Sequence, residues 1–256
     1  MATEIITLCI AAFAAGFIDS IVGGGGLVQT PATLITLPQY PVATLLGTTK
    51  IPSFCGTSMA SYYYAKKVPI QWKLLGIMCL LAFFAAITGS YTVSVVSNLY
   101  MKPIIFGMLI LVAIYTYRKK NFGTATRKSL PAKLELFYCV AFAPIIGFYD
   151  GFMGPGAGSF LVLFFISTLG FDFLKASAHA KFVNLATNIG SILYFGQTGH
   201  ILFYVAIPMA LFNLLGSVLG SKLAILKGNQ FIRVFFLLVV TGTIIRFGYD
   251  IFFKHS

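Results

Sequence analysis

The sequence predicts an all-α polytopic membrane protein made of two inverted structural repeats whose glycine-broken or re-entrant helices meet at a shared site. Three observations carry that expectation. Of 256 residues, 58% are hydrophobic and 9% charged, with a mean hydropathy of +0.91, a balance that no soluble fold could leave facing water. The block Gly16-Phe17-x-Asp19-x-x-x-Gly23-x-Gly25 returns without a gap as Gly147-Phe148-x-Asp150-x-x-x-Gly154-x-Gly156. Lys50 follows Asp19 by 31 positions, and Lys181 follows Asp150 by the same 31. Charged residues and glycine breaks duplicated inside apolar sequence are what a secondary transporter with a site at its repeat interface shows.

Apolar runs fill nearly the whole chain, so residues 1–256 read as one membrane domain without room for a separate soluble one. The first repeat, 1–117, holds runs at about 5–22, 27–37, 42–65, 74–97 and 101–117. The second, 136–256, holds 136–153, 156–170, 174–196, 201–220 and 231–253. Run 5–22 is preceded by Glu4 rather than by a basic segment and reads as a mature helix, not a removable signal peptide. Run 27–37 has 11 residues, about 16 Å of helix, too short for a bilayer of roughly 30 Å. It is expected to form a re-entrant hairpin with 5–22, and 136–170 its counterpart; two full crossings would return the chain to the same side. Five elements per half make the second half enter from the opposite side to the first.

Between the halves lies 118–135, the longest polar stretch, holding Arg118, Lys119, Lys120, Arg127, Lys128 and Lys133 of the 18 Lys and Arg. The formal charge of +12 would suit a nucleic-acid binder, but charge gathered at the ends of apolar runs is the positive-inside signal. With 118–135 as the cytoplasmic loop, even spacing puts Lys66, Lys67, Lys73, Lys222, Lys227 and Arg233 on that side. The outer side keeps Lys102, His200, Lys254 and His255, and both termini are external. A multi-pass plasma membrane location follows. The expected partners are the lipid bilayer and a small anionic substrate, with no nucleic acid; a homodimer stays open. Cys9, Cys55, Cys79 and Cys139 sit in apolar sequence as reduced thiols, and without a CxxC or Cys/His cluster neither metal nor cofactor is expected.

Asp19 and Asp150 stand just before Gly23-Gly24-Gly25-Gly26 and Gly154-Pro155-Gly156-Ala157-Gly158. Such stretches break a helix, and free N–H groups at the start of the following helix favour an anion; close helix packing by glycine is the plainer alternative. Lys50, Ser53, Thr57 and Ser61 share one helical face, as do Lys181, Asn184, Asn188 and Ser191. A lysine inside a membrane helix is costly and marks function unless it pairs structurally with Asp19 or Asp150; the half-site reading matches Lys181 with Asp150. Ser61 and Ser191 read as interhelical glue. The candidate substrate-binding residues are Gly23, Gly24, Gly25, Gly26, Lys50, Ser53, Thr57, Gly154, Gly156, Gly158, Lys181, Asn184 and Asn188. Asp19, Asp150 and His179 are candidates for coupling or structural charge, His179 because it titrates near neutral pH unless satisfied at a helix end. Arg246 and Asp250 read as an i,i+4 pair near an outer helix end, and Gly216-x-x-x-Gly220 as a helix-packing signal.

At these residues the chain resembles the sulfite exporter TauE/SafE family of membrane permeases. The resemblance rests on Gly16 to Gly26 with Thr30-Pro31, on Gly47-Thr48-Thr49-Lys50, on Gly147 to Ser159, on Ala178-His179-Ala180-Lys181 and on Asn188-Ile189-Gly190, and covers nearly the whole chain. It implies a bacterial-type inner-membrane carrier, not an enzyme, moving small sulfur-containing anions such as sulfite, sulfoacetate or related organosulfonates, usually outward. The repeat departs from its own symmetry where Pro155 stands for Gly24 and His179 for Thr48. Two other functions compete: a passive anion channel sharing the site, and an intramembrane aspartyl protease prompted by Tyr149-Asp150 and a second membrane aspartate. No Gly-x-Gly-Asp motif supports the protease.

Overall fold

The structure is a computed structural model describing residues 2–97, 107 and 130–253, with backbone alone for most positions after 235. Run 101–117 apart from Gly107, most of the 118–135 loop and the side chains of Arg246 and Asp250 lie outside the described residues. Described secondary structure is helical: α1 (Ala2–Val22), α2 (Gly26–Thr36), α3 (Val42–Ala65), α4 (Trp72–Val95), α5 (Ala132–Phe152), α6 (Ala157–Ser167), α7 (Phe173–Gln197) and α8 (Phe203–Phe253). Residues 221–230, expected as a connection, hold the kink at which the stretch labelled α8 divides into two helices. Gly228 alone leaves helical geometry, with φ 69° and ψ −161°, a conformation that glycine adopts without steric cost.

Among the described residues, four stretches are long and apolar enough to cross a membrane: Thr3–Val22, Trp72–Val95, Ala132–Phe152 and Phe203–Phe235. They present Ile10, Leu80, Phe84, Ile145, Leu211 and Leu219 outward, a surface suited to lipid and not to water. α3 and α7, with 24 and 25 residues, are equally long but more polar. Enclosure makes this tolerable: they pack on each other, α3 also against α8 and α7 against α4, so their polar faces meet protein.

α2 and α6 have 11 residues each and turn back on the helix before them. Leu37, just past α2, packs beside Leu8 and Ala12 of α1. On the other side Phe164 of α6 stacks on Phe142 of α5 at 4.1 Å. Run 156–170 overshoots α6 because the apolar sequence continues through the buried turn at Leu169 and Phe171.

Packing treats the halves alike. α1 lies against α8 as α5 lies against α4. A methyl group on Gly16 would come 2.1 Å from the Asn213 carbonyl oxygen, and one on Gly147 2.5 Å from that of Ala82. Gly89 abuts the Phe148 carbonyl as Gly220 abuts that of Phe17. Members of each couple are 131 positions apart, so the sequence repeat recurs as repeated backbone contact, and the Gly216/Gly220 signal is helix packing against α1.

The described basic connections, around 66–73 and 222–233, share one end of the bundle. Lys222 lies over the Tyr63 ring at 5.3 Å, the Gln71 N–H donates to His179, and the Leu174 N–H donates to Asn229. At the opposite end the Tyr40 and Tyr204 hydroxyls meet at 2.9 Å and the Leu202 N–H donates to Thr48.

Candidate anion site

Both glycine turns reach the middle of the bundle and touch. Gly23 and Gly154, equivalent in the repeat, have φ values of 78° and 86°, which side chains resist. A methyl on Gly158 would lie 2.5 Å from the Gly23 carbonyl oxygen and 2.6 Å from Asn184 Nδ2, so the first turn of α6 seats directly on the turn before α2. Ser159 adds a hydrogen bond to the Val22 carbonyl.

Two buried ion pairs cross between the halves. Lys50 Nζ donates to Asp150 Oδ1 at 3.0 Å and to its carbonyl oxygen at 2.6 Å. Lys181 Nζ donates to Asp19 Oδ2 at 2.8 Å and to the Asp19 carbonyl. Each lysine therefore serves the aspartate of the other half, not its own as the half-site reading had it. The reason is geometric: α3 and α7 are central and pack together, so each lysine reaches across the contact to the opposite turn. The carbonyls they hold belong to the last turns of α1 and α5; that of Asp19 also accepts from the Gly23 N–H at 2.8 Å.

A cavity of about 40 Å³ opens between the turns, room for roughly three waters. It is lined by Asp19, Gly23, Gly26, Lys50, Ser53, Thr57, Asp150, Gly154, Gly158, Asn184 and Asn188 among the expected residues, and by Gln29, Thr30, Thr49, Met153 and Ala157 besides. Gly26 and Gly158 bring the first turns of α2 and α6 to it, where backbone N–H groups favour negative charge. Gly24, Gly156, Lys181 and His179 are not among its lining residues; Gly25 lines a small recess beside Asp19 and Asn213. Both His179 nitrogens are engaged, Nδ1 donating to the Lys175 carbonyl at 2.8 Å and Nε2 accepting from Gln71 at 3.1 Å. Ser61 and Ser191 are buried with no partner for Oγ, so neither makes the expected interhelical bond.

The two lysines are not equivalent. Lys50 faces the cavity, whereas Lys181 is 0% exposed behind Asp19, whose side chain is 23% exposed. Two polar groups have no polar equivalent in the repeat, Gln29 in the first half and Asn213 in the second. Gln29 donates to the Thr49 carbonyl at 2.9 Å and accepts from Asn213 at 2.8 Å; the equivalent positions in the repeat are Phe160 for Gln29 and Ala82 for Asn213. A buried glutamine in an apolar run is as costly as other membrane polar groups and is a readable signal. Thr187, also unforeseen, donates to Asp150 Oδ2.

The sulfite exporter TauE/SafE family model matches residues 8–247. The chain belongs to the TauE/SafE family. It is 37% identical over 239 residues to a probable membrane transporter protein, ORF9, of a Sinorhizobium species, covering 93% of this chain and 90% of that one. It is 33% identical over 228 residues to a probable membrane transporter of Haemophilus influenzae, with 89% and 88% covered. The probable membrane transporter YfcA of Escherichia coli K12 is 33% identical over 243 residues, with 93% and 87% covered. No solved structure matches the chain. Family and apolar helices together make this an integral membrane protein of a transporter family, not an enzyme. The cavity has the parts for a small anion: an ammonium group, two helix starts, and hydroxyl and amide donors.

Proposed function

We propose that this protein is a secondary transporter exporting small sulfur-containing anions such as sulfite or organosulfonates, bound between the two glycine turns. The observation that carries the reading is the cavity where Lys50 and the starts of α2 and α6 converge. Its volume suits an anion of a few heavy atoms and not a peptide. Gly23, Gly24, Gly25, Gly26, Gly154, Gly156 and Gly158 shape the turns, while Lys50, Ser53, Thr57, Asn184 and Asn188 contact the anion; Lys181 acts through Asp19. The halves are inverted repeats with discontinuous helices, related by a two-fold axis in the membrane plane. Crosswise lysine pairing and repeated glycine contacts support that arrangement. The basic end is cytoplasmic and the termini are external in a bacterial inner membrane.

Alternating access is favoured over a passive channel because two ion pairs join the halves at the site and must part for the halves to move. An aspartyl protease is disfavoured because each carboxylate faces a lysine and the two do not share a proton. Flux of sulfite and organosulfonates in proteoliposomes tests the reading. Saturable uptake with counterflow is expected; absence of flux for every sulfur anion in the panel would refute it.

A further inference from the structure

Charge at the site sums to zero, since Lys50 and Lys181 face Asp150 and Asp19 one to one. An entering anion leaves at least one negative charge uncompensated in a buried site, which is strongly unfavourable. Lys50 is already committed, with two of its three N–H groups given to Asp150. Building on the anion-site reading, we propose that the anion binds together with a proton, that Asp150 takes this proton, and that the Thr187 hydroxyl accommodates the change.

The geometry at Thr187 carries the assignment. Its Oγ1 contacts Asp150 Oδ2 and lies 2.9 Å from the Asn184 carbonyl oxygen. A single hydroxyl proton serves one of these acceptors at a time. With Asp150 ionised, Thr187 donates to Oδ2. With Asp150 protonated on Oδ2, the new O–H donates to Thr187 Oγ1 and the threonine proton turns to the Asn184 carbonyl. Both states leave the three groups bonded, so the proton is stored without a buried orphan. It comes from water in the cavity and returns there when the anion leaves. Neutralising Asp150 also frees the Lys50 charge for the anion.

Asp19 lacks such a relay: Oδ2 accepts from Lys181 and Oδ1 from the Gly25 N–H at 3.4 Å. Other groups near Asp150 do not compete for the role. Lys50 comes from α3, and Asp19 with Lys181 from α1 and α7. Tyr149 on the same helix donates its hydroxyl to the Pro155 carbonyl. α6 carries no titratable residue. Of those on α4, Lys73 is in its first turn, Cys79 packs in the apolar core and Tyr91 rings against Tyr194. His179 on α7 faces Gln71.

Because the proton enters with the anion, affinity rises as pH falls, tenfold per unit while Asp150 is ionised in the empty protein. Titration calorimetry of the purified protein with methanesulfonate and ethanesulfonate, in buffers of different ionisation heat, counts protons bound per anion. Their sulfonates are strong acids, so the count belongs to the protein. About one proton per anion is expected for wild type and Thr187→Ser, and none for Asp150→Asn, whose affinity should not vary with pH. Anion binding to wild type without proton uptake would overturn the proposal and leave the anion site standing. Uptake that persists in Asp150→Asn would overturn the assignment to Asp150. Failure of both anions to bind wild type would instead overturn the anion site itself.

Discussion

Asp19→Asn takes away the carboxylate facing a lysine that is 0% exposed, whereas Lys181→Met strands a carboxylate that is 23% exposed and still receives the Gly25 N–H. The two halves of one ion pair should therefore differ in cost. Breaking a buried pair by removing one partner costs about 3–5 kcal/mol, because a charge is left uncompensated. Asp19→Asn should fall within that range, since no water reaches the ammonium. Lys181→Met should cost ~3 kcal/mol or less, because Asp19 meets the cavity and can be hydrated or protonated there. The double variant removes both charges and is expected within about 1 kcal/mol of wild type, a strong positive coupling. Thermal unfolding of the four proteins in detergent reads the ranking, with Asp19→Asn lowest by on the order of 10 °C. Additive losses in the double variant, or rescue of Lys181→Met by Asp150→Asn instead, would refute the crosswise pairing.

Gly158→Ala forces a methyl to 2.5 Å from the Gly23 carbonyl and should cost about 1–3 kcal/mol, with loss of anion protection against unfolding. Gly76→Ala in α4, where nothing lies within 4 Å, should be neutral or gain up to ~1 kcal/mol in the same melt. Gln29→Leu leaves the Asn213 amide and the Thr49 carbonyl without their partner and should cost about 1–3 kcal/mol, with weaker anion protection in the same assay. Impermeant thiol labelling of intact cells should mark Thr198→Cys and spare Lys67→Cys, since the two lie at opposite ends of the bundle; the reverse pattern would overturn the orientation.

Much of the fold was legible because membrane burial imposes long apolar runs and because the repeat is written in glycine and charged residues, which stand out in them. Asp19, Gly23, Lys50 and their equivalents occur at one offset, and the structure brings them to one place. Pairing across the halves was not legible: which aspartate a lysine meets depends on α3 lying against α7, a contact no local pattern encodes. Reading by recurrence also hid Gln29 and Asn213, whose equivalents are Phe160 and Ala82. Their cost in apolar sequence was visible; the demand for symmetry discarded it. The 221–230 segment was readable as a break from Lys222, Lys227, Gly228 and Asn229; its shortness was not, since the backbone keeps its helix on both sides of the kink at Gly228.

Occupancy of the cavity by the transported anion is the central claim, and a cysteine at Ser53, on its wall, reports it directly. In a background lacking Cys9, Cys55, Cys79 and Cys139, the rate at which iodoacetamide alkylates Ser53→Cys would be measured with and without a transported sulfonate. At ten times its Kd the anion should slow the reaction about tenfold, following occupancy, and Lys50→Met should abolish that protection. An alkylation rate unchanged by saturating anion, with transport intact, would place the substrate elsewhere and contradict the account.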